Sequence, residues 1–278
     1  MSSAHITIGK RQYKLEKFSE GGASTLYEIV GSNKPLLVKI PKQTQGIIYV
    51  QAFQNECRML RTFKGCPNII NVYTSNDEAL VLPKMKGTLS ELLDAQPQRK
   101  LPVETAKRIF KTICKAIKSC HSKQVAHLDV KLENILRDNN EKLYLSDFGS
   151  ACTTYNHGEV LVTPRYSAPE ILFGTCKNPL AADIWSLGVV LYELLNGKLP
   201  FSDPTNIHRL KHFHKHLISK FPGPLGNLLH SMFHLNPESR ITIQEVLHHP
   251  WLRSCKKSTP FDKVRKGLSK ALNSVHDF

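Results

Sequence analysis

The segment HLDVKLEN, residues 127–134, sets a carboxylate at Asp129, an ammonium at Lys131 and a carboxamide at Asn134 in one short polar stretch. Three other stretches carry groups that suit it. LSDFG (145–149) puts Asp147 after an apolar strand and before a glycine, LLVKI (36–40) plants Lys39 in mid-strand, and FSEGGASTLY (18–27) is a glycine-bearing turn between strands. Transfer of a phosphoryl group uses such a set: dense phosphate charge is positioned and neutralised while the attacking hydroxyl meets a proton acceptor. Asp147 and Asn134 offer the hard oxygens that magnesium prefers, and Lys39 supplies a point charge for phosphate. Asp129 is the candidate base, a role commonly worth about 10²- to 10⁴-fold. Each stretch alone has a plain alternative. A strand lysine can snorkel, Gly21-Gly22 can be only a turn, and D-F-G arises by chance.

The elements that must hold these groups are legible from apolar spacing. Residues 6–40 alternate apolar and polar, predicting three short strands joined by GGAS and GSNKP. AFQNECRMLRTF (52–63) has helical spacing, and NIINVYT and EALVLPKM return to strands. Beyond Met85, ELLDAQ, VETAKRIFKTICKAIKSCHS, IWSLGVVLYELLNG, LGNLLHSMFHL and ITIQEVLHH all carry helical apolar stripes. The pattern predicts an α+β chain: a β-rich lobe over 1–85, a larger helical lobe over 86–252, and a basic tail over 253–278.

With 278 residues, 41% of them apolar, two lobes around one cleft have ample material for a core. No apolar run reaches the roughly 18 residues of a membrane span. IWSLGVVLYELL, interrupted by Glu193, reads as a buried helix, and MSSAHITIGKRQYK lacks the apolar core of a signal peptide. The seven cysteines (57, 66, 114, 120, 152, 176, 255) are odd in number and never form C-x-x-C, against both a disulfide framework and a zinc site. A soluble protein of the reducing cytoplasm or nucleus is expected. The net charge of +15 suits acidic partners (nucleic acid, anionic membrane or acidic protein), and equally a soluble basic protein with no such partner.

In the order and spacing of HLDVKLEN, LSDFG, TPRYSAPE (163–170), DIWSLG (183–188) and PESR (237–240), the chain resembles a eukaryotic-type serine/threonine protein kinase catalytic domain from about Phe18 to Trp251. The last three motifs separate it from small-molecule phosphotransferases similar to the aminoglycoside kinases, which share an H-x-D-x-x-x-x-N loop. The resemblance implies a bilobal kinase fold, with ATP and Mg2+, or Mn2+ in its stead, as cofactors. It implies that Lys39 holds the inner phosphates and pairs with Glu56, that Asp129 is the base, and that Lys131 steadies the γ-phosphate. Asn134 and Asp147 would hold metal. Ser19, Gly21, Gly22, Ser24, Leu26, Val38, Leu82, Pro83, Met85 and Leu136 would surround the nucleotide, with Leu82 guarding the back of the pocket. Leu60 would align with His127 and Phe148. Asp183 would hold the catalytic loop, Glu170 would pair with Arg240, and Thr163 would bridge Asp129 and Lys131. Glu133 and Glu193 match positions that take arginines of basic substrates.

Several departures matter. Ser19 and Ser24 stand where the family's loop has its first and third glycines, and Ala23 replaces a common aromatic, so a looser grip on ATP is expected. Leu128 stands where an arginine is usual. With no cation there to neutralise, the enzyme should not need phosphorylation of its activation loop, which offers Thr153, Thr154 and Tyr155. These departures keep a rival reading open, a pseudokinase scaffold that binds without chemistry. NIHRLKHFHKHLISK (206–220) contains no acid, and its histidines recur on one face. It reads as a solvated helix face or a dock for an acidic partner, more than as a metal site. The tail carries Val264, Leu268, Ala271, Leu272 and Val275 at helical spacing, for packing on its own lobe, for assembly, or as a basic amphipathic regulator. In compactness the chain resembles minimal viral kinases, those of baculoviruses among them, a setting in which basic nucleic-acid-packaging proteins would be substrates.

Overall fold

The computed structural model describes residues 5–42, 46–76, 78–154 and 161–253; Tyr155 and nearly all of the tail lie outside these. An antiparallel sheet in the order β1-β2-β3-β4-β6-β5 forms the first part of the chain: β1 His5–Ile8, β2 Arg11–Glu20, β3 Ser24–Val30, β4 Leu36–Pro41, β5 Thr74–Ser75 and β6 Leu80–Pro83. Helix α1, Ile47–Thr62, packs against β4. Where alternation predicts three strands before residue 40 there are four, because Gly9, at φ 64°, turns the chain between β1 and β2. NIINVYT is largely irregular: Ile70 donates to Leu145 O and Leu145 to Asn68 O, so its first residues are satisfied from the helical part, and only Tyr73 and Thr74 bond to the sheet.

Mid-sheet β4 has both faces covered, and its alternation decides which residue meets which side. Leu36 and Val38 join Leu15, Ile29 and Val81 in a small core on the far face. Leu37 and Lys39 point the other way, as do their cross-strand partners Leu82 and Leu80 on β6. The cleft therefore receives the odd residues of β4.

The rest of the chain is helical, around α5 (Pro179–Asn196). Its other elements are β7 Gly87–Thr88, α2 Leu89–Asp94, α3 Val103–His121, β8 Val125–Ala126, β9 Ile135–Arg137, β10 Leu143–Leu145, β11 Cys152–Thr153, α4 Pro169–Leu172, α6 Ile207–Lys220, α7 Pro224–Met232, α8 Ile243–His248 and α9 Pro250–Arg253. α5 is apolar all round and buried. Asn178 caps its start ahead of Pro179, and Gly197, at φ 73°, ends it in the left-handed conformation. Trp185 on α5 stacks on Phe201 and meets Phe233 edge-on, which anchors the turns after α5 and α7. Among the described residues no helix is long and apolar enough to cross a membrane.

One buried ion pair ties distant parts together. Arg240 forks onto Glu170 (Nη1–Oε1 2.6 Å, Nη2–Oε2 3.2 Å) and also donates to Ala181 O and His234 O. Four of the five guanidinium N–H groups and both carboxylate oxygens are thereby occupied, which is what makes a buried charge tolerable. Arg240→Leu leaves a buried carboxylate alone and should cost about 3–5 kcal/mol, seen as a lower urea midpoint; an unchanged midpoint would refute this anchoring role.

At the α6–α7 contact His214 stacks on His230 (3.9 Å between rings), with His234 edge-on, and His214 Nε2 donates to His230 O. Burial, then the neighbouring imidazoles, hold the pKa values of His214 and His230 below the ordinary histidine range. A depressed folded-state pKa means that the contribution is whole above the unfolded value and is lost as pH falls through the folded one. The melting temperature should therefore drop from pH 7.5 to 5.5, and His214→Phe should flatten that slope.

Candidate active site

The catalytic segment follows β8 and is fastened from below by α5. Asp183, fully buried, accepts the backbone N–H groups of His127 and Leu128 (both 2.8 Å) and lies 2.9 Å from His121 Nε2. Leu128 is buried and takes φ 61°, a left-handed conformation unusual for a branched side chain. The two hydrogen bonds to Asp183 hold it there. His127 packs edge-on against Phe148 at 4.7 Å between rings, and Phe148 in turn meets Phe63 of the α1 end at 5.4 Å. Leu60 lies in the same core, and Phe63, on the same predicted helical stripe, is the residue that meets Phe148.

Asp129 is held on every side. Lys131 Nζ lies 2.6 Å from its Oδ2, Asn134 Nδ2 2.9 Å from the same oxygen and 2.8 Å from Asp129 O, and Thr163 Oγ1 donates to Oδ1 at 2.7 Å. Lys131 also donates to Thr163 Oγ1 at 2.7 Å. Across the cleft Lys39 meets Glu56 Oε2 at 2.6 Å and Asp147 Oδ1 at 3.6 Å. Burial works against the Lys39 charge, but the Glu56 and Asp147 carboxylates outweigh it and raise its pKa. Burial pushes Glu56 up to about 6 despite Lys39, while Lys39 holds Asp147 below the usual carboxylate range. Asp147 is thus an ionised acid at neutral pH.

These groups surround one cavity of about 440 Å³, lined by Gly21 to Ser24, Lys39, Glu56, Asp129, Lys131, Asp147 and Thr163. Tyr49, Ala52 and Phe53 of α1 and Gly149, Ser150, Leu161 and Val162 complete the wall, seven residues that sequence reasoning did not assign to the site. Neither Ser19 nor Ser24 takes a left-handed backbone, so the seryl departures in this loop carry no φ strain. Ser19 and Leu26 face each other across β2 and β3, and Leu26 faces Lys39 across β3 and β4, so all three share the cleft side of the sheet.

The nucleotide-side expectations need two corrections. Val38 lies in the core on the far face of the sheet, because neighbours on a strand point oppositely; Leu37 is the cleft-facing residue. Pro83, opposite Leu36, shares that far face, so only its backbone is available to the cleft. Leu82, Met85 and Leu136, from β6, the segment after it and β9, are partly buried at the margin of the large core. A third correction concerns Glu193. The expected open acid is buried, with Arg99 on one oxygen and Tyr166 on the other, whereas Glu133 is exposed.

Asn55, beside Glu56 on α1, went unnoticed in the sequence. Its Nδ2 donates to the carbonyls of Phe148 (3.3 Å), Gly149 (3.1 Å) and Ala151 (2.6 Å), and Arg58 donates to its Oδ1 at 2.8 Å. The residues after Asp147 are thereby tied to the helix that carries Glu56. The segment also pairs as β11 with β8, and Ser150 donates to Leu161 O.

The residues fit a divalent metal shared with phosphates. Asp147 is an ionised oxygen donor, and among the described residues nothing donates to Asn134 Oδ1. No three His, Cys, Asp or Glu side chains of the described residues form a metal cage, so such an ion would complete its shell with water and phosphate, as magnesium does.

A buried lysine–carboxylate pair facing a hydrogen-bonded aspartate across a cleft, between a sheet and a helical lobe, defines a phosphotransferase architecture. Residues 13–252 match the protein kinase domain model, and the chain belongs to that family. It is similar to the carbon catabolite-derepressing protein kinase of Candida tropicalis (32% identity, 97% of this chain, 45% of the relative). CBL-interacting protein kinase 10 of Oryza sativa subsp. japonica is 35% identical over 75% of this chain and 50% of its own length. A probable serine/threonine-protein kinase of Dictyostelium discoideum is 42% identical over 55% of this chain and 10% of its own. The chain spans half or less of the length of these relatives. None of the three is viral. A chain in the structure of the CAK complex from Chaetomium thermophilum bound to ATP-gamma-S matches at a TM-score of 0.73 and 26% identity, over 88% of this chain and 92% of that one.

Asn55→Ala should free the segment after Asp147 from α1 and slow ATP-dependent phosphorylation about tenfold, the equivalent of roughly 1.4 kcal/mol, with little change in the urea midpoint. Unaltered turnover would rule out the Asn55 tether.

Proposed function

We propose that this domain transfers the γ-phosphate of ATP, with magnesium, to serine or threonine hydroxyls of proteins. The observation that carries the reading is the closed triangle of Asp129, Lys131 and Thr163, a base held beside a cation at the floor of the cleft. The substrate hydroxyl gives its proton to Asp129 as its oxygen bonds to the γ-phosphorus and the bond to the ADP oxygen breaks. Thr163 orients one Asp129 oxygen and leaves the other to share Lys131, whose ammonium balances charge on the transferring group. Lys39, kept cationic by its two carboxylates, serves the inner phosphates. Asn134 and Asp147 would hold a divalent ion, which when bound would further neutralise phosphate charge.

Independence from activation-loop phosphorylation is part of this proposal. Leu128 carries no charge that a phosphate could neutralise. Asn55, the β11–β8 pairing and the Ser150–Leu161 hydrogen bond support an ordered segment on both sides of residues 155–160. A basic substrate preference rests on the exposed Glu133 alone. An acidic partner for α6 is supported by its groove, floored by Phe213 and Leu217 and rimmed by Arg209 and Lys220.

Protein made without any upstream kinase and then treated with phosphatase should phosphorylate serine peptides with Mg-ATP, whereas Asp129→Asn should lose at least about 10²-fold in rate. Equal rates for the two proteins would refute catalysis at Asp129. Activity that vanishes on phosphatase treatment would remove only the claim of independence.

A further inference from the structure

Arg99 belongs to none of the motifs, yet it completes the polar cluster around the buried Glu193. Its Nη1 donates to Glu193 Oε1 at 2.8 Å and to Gly197 O at 3.2 Å, and its Nε to Asp94 Oδ1 at 2.5 Å. Glu193 has 3% of its side chain exposed and Arg99 35%, so the guanidinium is the cover between a buried acid and solvent. The other Glu193 oxygen accepts the Tyr166 hydroxyl, at 2.5 Å.

The connector bearing Arg99 is moulded onto this position. Gln98 and Arg99 both sit at left-handed φ, 55° and 57°, a conformation that costs side-chain-bearing residues energy and that other contacts must sustain. Those contacts are present. Leu101 N donates to Leu194 O, and the carbonyls of Gln98 and Arg99 lie so close over Gly197 that a Cβ there would meet them at 2.5 and 2.8 Å. Only glycine lets the connector lie down on the end of α5.

The cluster also reaches the strip along which a substrate chain must pass. Tyr166 N donates to Thr163 O, and Thr163 donates to Asp129. Glu133, exposed in the catalytic loop, lies near enough to act electrostatically on the Tyr166 hydroxyl. Two acids therefore flank Tyr166 next to the reacting position. One is open. The other already holds an arginine from its own chain.

We propose that Arg99 is a specificity-determining residue: by filling the seat at Glu193 it denies that acid to arginine side chains of substrates and leaves Glu133 as the acid available to a basic residue. With Tyr166 on one oxygen, Glu193 has a seat for only one guanidinium, and the internal one arrives without losing the freedom of a second molecule. This inference rests on the kinase reading above.

The test is a serine-peptide library in which arginine or alanine stands at each position flanking the acceptor, run with wild type, Arg99→Ala and Arg99→Lys. Arg99→Ala should gain, at one position, a preference for arginine over alanine of about tenfold or more, the fold-change of one charge-assisted hydrogen bond. Arg99→Lys keeps a cation beside Glu193, and with it the fold, but cannot span three acceptors; it should show the same gain at about twofold. Adding Glu193→Gln to either variant should abolish the gain. Independently of turnover, N-acetyl-arginine amide should raise the melting temperature of Arg99→Ala and leave wild type unmoved. Unchanged ratios in both variants overturn the assignment, as does a wild type that already prefers arginine through Glu193. Wild type that phosphorylates no peptide overturns the kinase reading, and a missing arginine-amide shift overturns the Arg99 seat by itself.

Discussion

A single buried carboxylate underlies the site. Asp183 stands with no exposed surface in the second turn of α5 and receives two successive backbone N–H groups of the catalytic segment together with His121. Hydrogen bonds to a charged group contribute about 1.5–3 kcal/mol each, more than the roughly 1–2 kcal/mol of holding Leu128 in a left-handed backbone. That balance turns the chain so that Asp129 points into the cleft while Leu128 is buried beneath it. A charged residue is not needed at 128 for this geometry, since the fastening is made through the backbone.

The second constraint runs between the sheet and the helical lobe. Lys39 on β4, Glu56 on α1 and Asp147 after β10 form one charge cluster, and Asn55 binds the same helix to the backbone just beyond Asp147. A shift of α1 would therefore break an ion pair and up to three carbonyl contacts together. Such coupled polar networks have few intermediate arrangements. Phe148, wedged between His127 and Phe63, adds an apolar joint along the same line.

α5 serves both ends of the design. Near its start Asp183 fastens the catalytic loop, and near its end Glu193 fastens Tyr166 and the connector before α3. A helix apolar on all sides can carry two acids only because each is fully partnered. The Glu170–Arg240 fork repeats that logic below it.

The chemistry-bearing groups were readable because they sit close together along the chain: Asp129, Lys131 and Asn134 share one loop, and helical and strand periods are local properties. The family resemblance paired Glu170 with Arg240 and Lys39 with Glu56 across long separations. The side of the sheet taken by Val38 was also within reach, since it follows by alternation once Lys39 is set inward. The partners of Glu193 and Asn55 were not. Arg99 lies 94 positions from Glu193, and the carbonyls bound by Asn55 lie 93 to 96 positions away. A glutamate letter is the same whether its carboxylate meets water or a guanidinium. Which of the two it meets depends on how helices and connectors pack, and that follows from the folded arrangement of the whole chain.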